Sequence, residues 1–210
     1  MRGFAGTMPR MSDEMHEIAA VAARLVVEEG LRFGPAKTHA IRQLGLPART
    51  AMPGNEQLED AVLEHLALFH ADTHAVHLRE LRLLAIRCMQ RMQAFDPYLT
   101  GAVWLGYASQ LSDVDLDLYV DDAKAVEIEL INQGVAYDAG QIDAGRREPV
   151  PVVHVNERVQ AWPHGVSVYM RVHDRGALRG ALLPDSKGRS PRGNIAAVQA
   201  LLDKQEGVRA

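Results

Sequence analysis

Three carboxylates alternate with apolar residues in the middle of the chain, in the run SDVDLDL at residues 112–118. A two-residue period is typical of a β-strand, because successive side chains on a strand point to opposite faces. Neighbouring carboxylates on one face then lie about 6.5 Å apart. At an effective dielectric constant of about 20, each such pair repels by roughly 2.5 kcal/mol. The alternating aspartates are Asp113, Asp115 and Asp117.

A bound divalent cation would offset this repulsion. Mg²⁺ prefers carboxylate oxygens and commonly takes substrate phosphates as further ligands. We therefore predict Asp113 and Asp115 as metal ligands and catalytic residues, with Asp117 as an auxiliary acid. A calcium-binding EF-hand is excluded, because Leu118 occupies the position of the required glycine and Lys124 that of the closing glutamate.

Two other interpretations of the aspartates start from the same residues. A dehalogenase-type phosphatase needs an apolar strand leading into the first aspartate, whereas residues 110–112 are typical of a turn. Alternatively, the carboxylates line the solvated face of an edge strand and discourage edge-to-edge pairing. Asp121 and Asp122 are expected to cap the following helix in either case.

Hydrophobic periodicity predicts helices before Pro97 and a mixture of strands and helices after it. The predicted helices span residues 12–29, 35–45, 55–69, 73–95, 123–133 and 193–204. The predicted strands span residues 101–105, 114–120, 135–142, 150–159 and 166–172. We expect a disordered start (1–11), a helical region (12–97) and an α+β domain (98–210) that holds a mixed β-sheet with flanking helices.

The order of these elements and the aspartate strand resemble the polymerase-β-like nucleotidyltransferase superfamily. The resemblance covers residues 101–174, and its motif residues are Trp104-Leu105-Gly106, Ser109 and Ser112-Asp113-Val114-Asp115-Leu116. Within the superfamily, the chain looks similar to a small, poorly characterised proteobacterial group with a helical N-terminal half. The resemblance implies an Mg²⁺-dependent enzyme that transfers a nucleotidyl group from a nucleoside triphosphate to an unknown acceptor.

The resemblance also implies roles for particular residues. Gly106 would let the backbone approach the triphosphate, and Ser109 would hold the β- and γ-phosphates. Ser112 and Arg171 would complete the nucleotide-binding set. Asp113 and Asp115 would hold Mg²⁺.

The chain departs from the superfamily pattern at the third carboxylate. In the superfamily this residue lies on a later strand, but the candidate strand at residues 166–172 contains no acid. Asp117, Glu157 and Asp174 are the available substitutes. An alternative function is therefore a catalytically degenerate module that binds nucleotide or serves a regulatory role. The residues that share one face of the candidate strand are Ser167, Tyr169, Arg171 and His173.

A third hypothesis is a DNA-binding regulator built on the N-terminal helices, because residues 19–46 resemble a helix-turn-helix. The net charge of −4 gives no general attraction for nucleic acid, so a local basic surface would be needed. The candidate charges are Lys37, His39, Arg42 and Arg49.

Three other clusters of ligand-type side chains occur in the chain. The basic loop 187–193 and the pair Arg146 and Arg147 are candidate phosphate contacts. His70, His74 and His77 share a helical face, but a zinc site needs more convergent ligands than this face provides.

The cysteine content of the chain predicts its cellular compartment. The single cysteine, Cys88, excludes an internal disulfide and favours a reducing cytoplasm, with the thiol in the core. No segment is apolar enough to predict a membrane span. The expected partners are a nucleoside triphosphate, its acceptor and, as a further candidate, a second copy of the chain.

Overall fold

The structure is a computed structural model that describes residues 11–143 and 149–207. Arg146 and Arg147 lie outside the described residues, as does the expected disordered start except for Met11, which begins the first helix. The chain forms two compact units. Of the described residues, 11–74 and 109–111 belong to the first, and 75–108, 112–143 and 149–207 belong to the second.

The first unit contains three helices and the first residues of a fourth. These helices are α1 (Met11–Glu29), α2 (Phe33–Gln43), α3 (Asn55–Phe69) and α4 (Ala71–Arg91). The apolar residues of α1 and α3 are mostly buried, although Phe69 is 69% exposed. The buried residues include Ile18, Ala22, Leu25, Leu58, Val62 and Leu66. Lys37 is also buried, and its Nζ donates to Asn55 Oδ1 at 2.7 Å. This lysine therefore does not contribute to the basic surface that the DNA-binding hypothesis needs.

The second unit is built on a six-stranded mixed sheet in the order β3-β4-β5-β2-β1-β6. Strands β2 and β5 are parallel, and every other neighbouring pair is antiparallel. The strands are β1 (Tyr98–Thr100), β2 (Val114–Val120), β3 (Asp138–Ile142), β4 (Val150–Val159), β5 (Trp162–Asp174) and β6 (Arg192–Gly193). The sheet and its helices confirm the predicted α+β class.

One face of this sheet is covered by helices. Strand β2 contributes Val114, Leu116 and Leu118 to a core that also contains Leu81 and Leu84 of α4. The other helices of this unit are α5 (Gly101–Leu105), α6 (Lys124–Asn132), α7 (Leu178–Ala181) and α8 (Ile195–Gly207). Short 3₁₀ turns lie at Gln93–Phe95 and Arg175–Ala177. The compact unit that contains the sheet begins at Ala75, because most of α4 packs in its core.

Cys88 lies in this core, where burial raises the pKa of its thiol to about 12. The cysteine is therefore a neutral, apolar side chain, as expected. No helix among the described residues is both long and apolar enough to span a bilayer.

The predicted strand at residues 101–105 is wrong, because these residues form helix α5. Gly101 has a φ of +67°, which turns the chain out of β1, and Gly106 N–H donates to Ala102 O at 2.9 Å. Helix α4 is also shorter than predicted, since it ends at Arg91 before the 3₁₀ turn. The last helix, α8, is capped by Asn194, whose Oδ1 accepts from Ala197 N–H at 3.0 Å.

Gly193 allows β6 to lie directly against Trp104 of α5. A Cβ atom at residue 193 would overlap the indole ring. We expect Gly193→Ala to lower the free energy of unfolding by about 1–3 kcal/mol, because the ring or the strand must move. Urea unfolding followed by circular dichroism measures this change.

Gly140→Ala is the matched control. Gly140 also lies in an edge strand, but a Cβ atom there would have no neighbour within 4 Å among the described residues. The control should change stability by less than about 0.5 kcal/mol. Equal effects of the two substitutions would contradict the proposed contact between Gly193 and Trp104.

Candidate functional site

The face of the sheet opposite the helical core carries a continuous set of polar side chains at its centre. The parallel register places Asp115 opposite Tyr169, Asp117 opposite Arg171, and Tyr119 opposite His173. Because strand residues alternate in direction, these side chains share the face opposite the core. The predicted alternation of β2 is thus confirmed, and its acidic face adjoins the polar face of β5.

Arg171 connects three strands through its guanidinium group. Its Nε donates to Asp117 Oδ1 at 2.7 Å, and its Nη1 lies 3.4 Å from Asp115 Oδ1. Its Nη2 donates to Thr100 Oγ1 on β1 at 2.6 Å. Although burial lowers the pKa of Arg171, the carboxylates of Asp117 and Asp115 raise it above its ordinary value. Arg171 is therefore a fixed positive charge between the two aspartates of β2.

Asp117 is the most buried carboxylate of this set, with its side chain only 4% exposed. In addition to Arg171, His173 Nε2 lies 3.1 Å from Asp117 Oδ1, and Arg192 Nη1 donates to Asp117 Oδ2. Burial alone would raise the pKa of Asp117. The hydrogen bond from His173 and the charges of Arg171 and Arg192 reverse this effect and hold the pKa below its ordinary value. Asp117 is therefore ionised and fully engaged by cationic and donor groups.

These contacts do not fit a magnesium site at Asp115 and Asp117, which is a different pair from the predicted metal ligands Asp113 and Asp115. Mg²⁺ binds carboxylate oxygens at about 2.0–2.1 Å in octahedral geometry. Here a guanidinium group already contacts oxygens of both residues. Among residues 11–143 and 149–207, no group of three or more His, Cys, Asp or Glu side chains is arranged to hold a metal ion.

Of the three acids considered as a replacement third carboxylate, Glu157 and Asp174 do not join this face. Glu157 forms an ion pair with Arg91 of α4. Asp174 is exposed at the end of β5, beyond the residues that adjoin Asp115. The position on β5 beside the aspartates of β2 is occupied by Arg171 instead.

The glycine turn near the aspartates is formed by Gly101 and not by Gly106. A Cβ atom at residue 101 would lie 3.2 Å from Asp115 Oδ2. Gly106 lies at the other end of α5, where a Cβ atom would lie 3.6 Å from Nη2 of Arg82. Arg82 Nε also donates to Val103 O at 3.2 Å, so this end of α5 presents carbonyl groups that an arginine satisfies.

The predicted serines and the first aspartate lie outside strand β2. Asp113 and Ser112 are half-buried and directly precede the strand. Ser109 is buried and belongs to the first compact unit, and its Oγ accepts from Leu111 N–H at 3.2 Å. The structure therefore brings Asp115, Asp117 and Arg171 into contact, whereas Ser109 belongs to the first compact unit.

Sequence reasoning missed three residues of this cluster. Thr100 and Arg192 contact Arg171 and Asp117 from β1 and β6, and Gly101 approaches Asp115. The sequence identifies Arg192 only as part of the basic loop 187–193. Within that loop, Arg189 Nη2 lies 2.9 Å from Asp185 Oδ2, so the loop is partly neutralised by a neighbouring carboxylate.

A second chain of polar side chains crosses β5, β4 and β3. Ser167 Oγ lies 3.1 Å from His154 Nε2, and His154 Nδ1 lies 3.5 Å from Asp138 Oδ2. Ser167, His154 and Asp138 follow one another as a nucleophile, a base and an acid that orients the base do in some hydrolases. The carboxylate is 89% exposed, so water screens its charge and it orients the imidazole weakly. We interpret this chain as a surface network.

Comparison with known proteins finds similar folds among solved structures only. No protein-family model and no curated protein sequence matches the chain. Among solved structures, Cid1 in complex with its short product ApU is 19% identical with a TM-score of 0.34, over 53% of this chain and 34% of that chain. A second structure, of the Cid1 poly(U) polymerase, is 21% identical with a TM-score of 0.32, over 53% of this chain and 34% of that chain.

A third structure, of a cytoplasmic RNA terminal U-transferase, is 21% identical with a TM-score of 0.33. Its match covers 53% of this chain and 34% of the other. The matched region is thus about half of this protein and about a third of these longer chains. Similarities of this strength carry no argument about activity, and the interpretation of the site rests on its own geometry.

Removing the charge of Asp117 should destabilise the fold strongly at neutral pH. Asp117→Asn keeps the size of the side chain but leaves Arg171 and Arg192 without their buried counter-ion. We expect the free energy of unfolding at pH 7 to fall by about 3–5 kcal/mol. Urea unfolding at pH 7, 5 and 3 measures the difference between the two proteins.

The pH dependence follows from the lowered pKa of Asp117. Its ionised form stabilises the fold above the ordinary pKa of about 4, and this contribution is lost as the pH falls through the lower folded value. The difference between wild type and Asp117→Asn should therefore narrow below about pH 4. Asp121→Asn, at an exposed carboxylate, should cause almost no change. A difference that stays constant to pH 3 would contradict an ionised Asp117.

Proposed function

We propose that the α+β unit is a catalytically inactive relative of nucleotidyltransferases that binds a nucleotide without a metal ion. The observation that carries this proposal is the position of Arg171, whose guanidinium contacts both Asp115 and Asp117. A metal-dependent transferase needs acidic side chains that converge on its cations. On this sheet a fixed cationic side chain takes that place.

Displacing Arg171 to admit a metal ion would be costly. The side chain is largely buried, and its departure would leave Asp117 with less compensation in a poorly solvated position. A divalent ion bound beside an unmoved Arg171 would instead be repelled by the guanidinium charge. Mg²⁺ binding at Asp115 and Asp117 is therefore unfavourable whether Arg171 moves or stays.

The nucleotide remains the preferred ligand class for three reasons. The motif at residues 112–116 resembles that of nucleotidyltransferases, and the Gly101 turn brings backbone close to Asp115. In addition, the contact of Arg171 Nη1 with Asp115 is long, at 3.4 Å. That N–H group could therefore transfer its hydrogen bond to a phosphate oxygen, for which arginine is well suited.

Isothermal titration with ATP, GTP, CTP and UTP tests this function. We expect at least one nucleotide to bind equally well in EDTA and in Mg²⁺, without release of pyrophosphate. Asp115→Asn should tighten binding, because it removes a negative charge beside the phosphates and weakens a competitor for Arg171. Arg171→Lys should weaken it by about 10- to 100-fold through loss of the planar donor group.

The opposite pattern would identify an active enzyme. If binding requires Mg²⁺, if pyrophosphate is released and if Asp115→Asn abolishes both, the protein is a nucleotidyltransferase and the proposal is wrong. Failure of all four nucleotides to bind would also reject it. Asp121→Asn serves as a control for a general change in negative charge.

A single substitution should restore affinity for a metal ion. Arg171→Asp would place a third carboxylate beside Asp115, while His173 and Arg192 still engage Asp117. We expect Mg²⁺ to raise the melting temperature of this variant saturably, with about 1.4 kcal/mol of stabilisation at ten times Kd.

Wild type should show no comparable Mg²⁺ effect in the same thermal unfolding measurement. Arg158→Asp is the control, since Arg158 is an exposed arginine on β4. A response of the control equal to that of Arg171→Asp would show that Mg²⁺ acts only through overall charge. An Mg²⁺ response in wild type would contradict the assigned role of Arg171.

A further inference from the structure

A separate cavity of about 370 Å³ lies at the end of β2 and β5, beyond the cluster around Asp115. Its walls come from the ends of the two parallel strands, from the segment that follows β5 and from the loop that precedes β6. The lining residues are Tyr119, His173, Ala177, Gly180, Ala181, Leu183, Pro191 and Arg192. This volume is within the range of about 300–1,000 Å³ that small-molecule sites usually have.

The polar part of this lining is rich in hydrogen-bond donors. The cavity is lined by Arg192, Tyr119 and His173 and by no carboxylate among the described residues. Asp117 lies beneath them, almost completely buried, and its two oxygens already accept from Arg171, His173 and Arg192. A ligand in the cavity would therefore meet cationic and neutral donors and not the aspartate.

Arg192 has donor groups left over from these contacts. Its Nη1 donates to Asp117 Oδ2 and to the Tyr119 hydroxyl oxygen. Its Nε is buried and has no hydrogen-bond partner in the described part of the chain. A buried N–H without an acceptor costs free energy, and an oxyanion is the acceptor that an arginine edge binds in two-point fashion.

The hydroxyl of Tyr119 can act with Arg192. Because the phenol oxygen accepts from Arg192 Nη1, its own hydrogen remains available to a ligand. The Tyr119 side chain is fixed by the Tyr98 ring on one side and by the His173 ring on another, with centroid distances of 5.7 and 5.5 Å. The two donors are therefore held in place before any ligand binds.

The structure also fixes the backbone that carries Arg192. Arg192 pairs with Thr100 of β1, and Trp104 Nε1 donates to Ser190 O at 2.7 Å. The rest of the lining is largely apolar and comes from alanine, leucine and proline side chains. Such a wall suits the carbon skeleton of a small organic molecule rather than a bare inorganic ion.

We propose that this cavity binds a small organic oxyanion, with its phosphate or carboxylate group on Arg192 and Tyr119 and its apolar part against Ala181 and Leu183. The proposal does not depend on nucleotide binding at Arg171. It predicts a ligand with one charged end and one apolar end.

Binding of four small probes to the full chain tests the proposal. The probes are phenyl phosphate, benzoate, inorganic phosphate and benzyl alcohol, and the measurement is isothermal titration supported by NMR line broadening. We expect saturable binding of one phenyl phosphate or benzoate per chain, with at least tenfold weaker binding of inorganic phosphate and of benzyl alcohol. The preference between the first two probes identifies the anionic group.

Two variants connect binding to the cavity. Arg192→Lys keeps the charge beside Asp117 but removes the Nε edge, and Ala181→Trp fills the cavity without touching Asp117. Each should weaken binding of the preferred probe at least tenfold, whereas Arg158→Lys should leave it unchanged. If Arg192→Lys does not fold, the effect of Ala181→Trp on probe binding is sufficient to test the proposal.

Several results would overturn the proposal. These are a failure of both organic anions to bind, equal binding of benzyl alcohol or of inorganic phosphate, and binding that Ala181→Trp leaves intact. Nucleotide titrations on the same variants distinguish this cavity from the proposed nucleotide site at Arg171. Ala181→Trp should not alter nucleotide affinity. A failure of the organic anions to bind would therefore not count against nucleotide binding, and a failure of nucleotides to bind would not count against the cavity.

Discussion

The buried carboxylate of Asp117 is the interaction on which the polar face of the sheet depends. An ionised group at this depth is tolerated only when charges and donors surround it. Arg171, His173 and Arg192 meet that requirement from β5 and β6. Their positions then determine the rest of the face, because Arg171 also reaches Asp115 and Thr100, and Arg192 also reaches Tyr119. Four strands are thereby joined by side chains as well as by their backbone ladders.

This network separates the two ends of β2 into different chemical environments. Asp113 directly precedes the strand, and the beginning of the strand carries Asp115, which Gly101 approaches closely. Four residues after Asp115, or about 13 Å along a strand, Tyr119 lines a cavity to which the described residues contribute no carboxylate. A fold in which one strand alternates acidic and apolar residues can thus offer a negatively charged region at one end and a donor-rich pocket at the other.

The strand periodicity made β2 predictable, and its observed bounds, Val114–Val120, agree with the prediction. The shared face of Ser167, Tyr169, Arg171 and His173 also follows from alternation alone. What alternation cannot supply is the register between distant strands, so the pairing of Asp117 with Arg171 needed the structure. The contact of Arg192 with Asp117 was harder still to predict, because Arg192 is 75 residues from Asp117 and lies in a two-residue strand. Helix α5 was missed because a short apolar run fits a strand or a helix equally well until the turn at Gly101 is known.

The contact between Trp104 and the loop before β6 has a practical consequence for spectroscopy. The chain has only two tryptophans, and Trp104 donates its indole N–H to the backbone carbonyl of Ser190, two residues before Arg192. The emission wavelength of an indole responds to the polarity and hydrogen bonding around it. In a version of the protein with Trp162 replaced by phenylalanine, this native fluorophore would report whether the hydrogen bond to the loop is kept, without any added label.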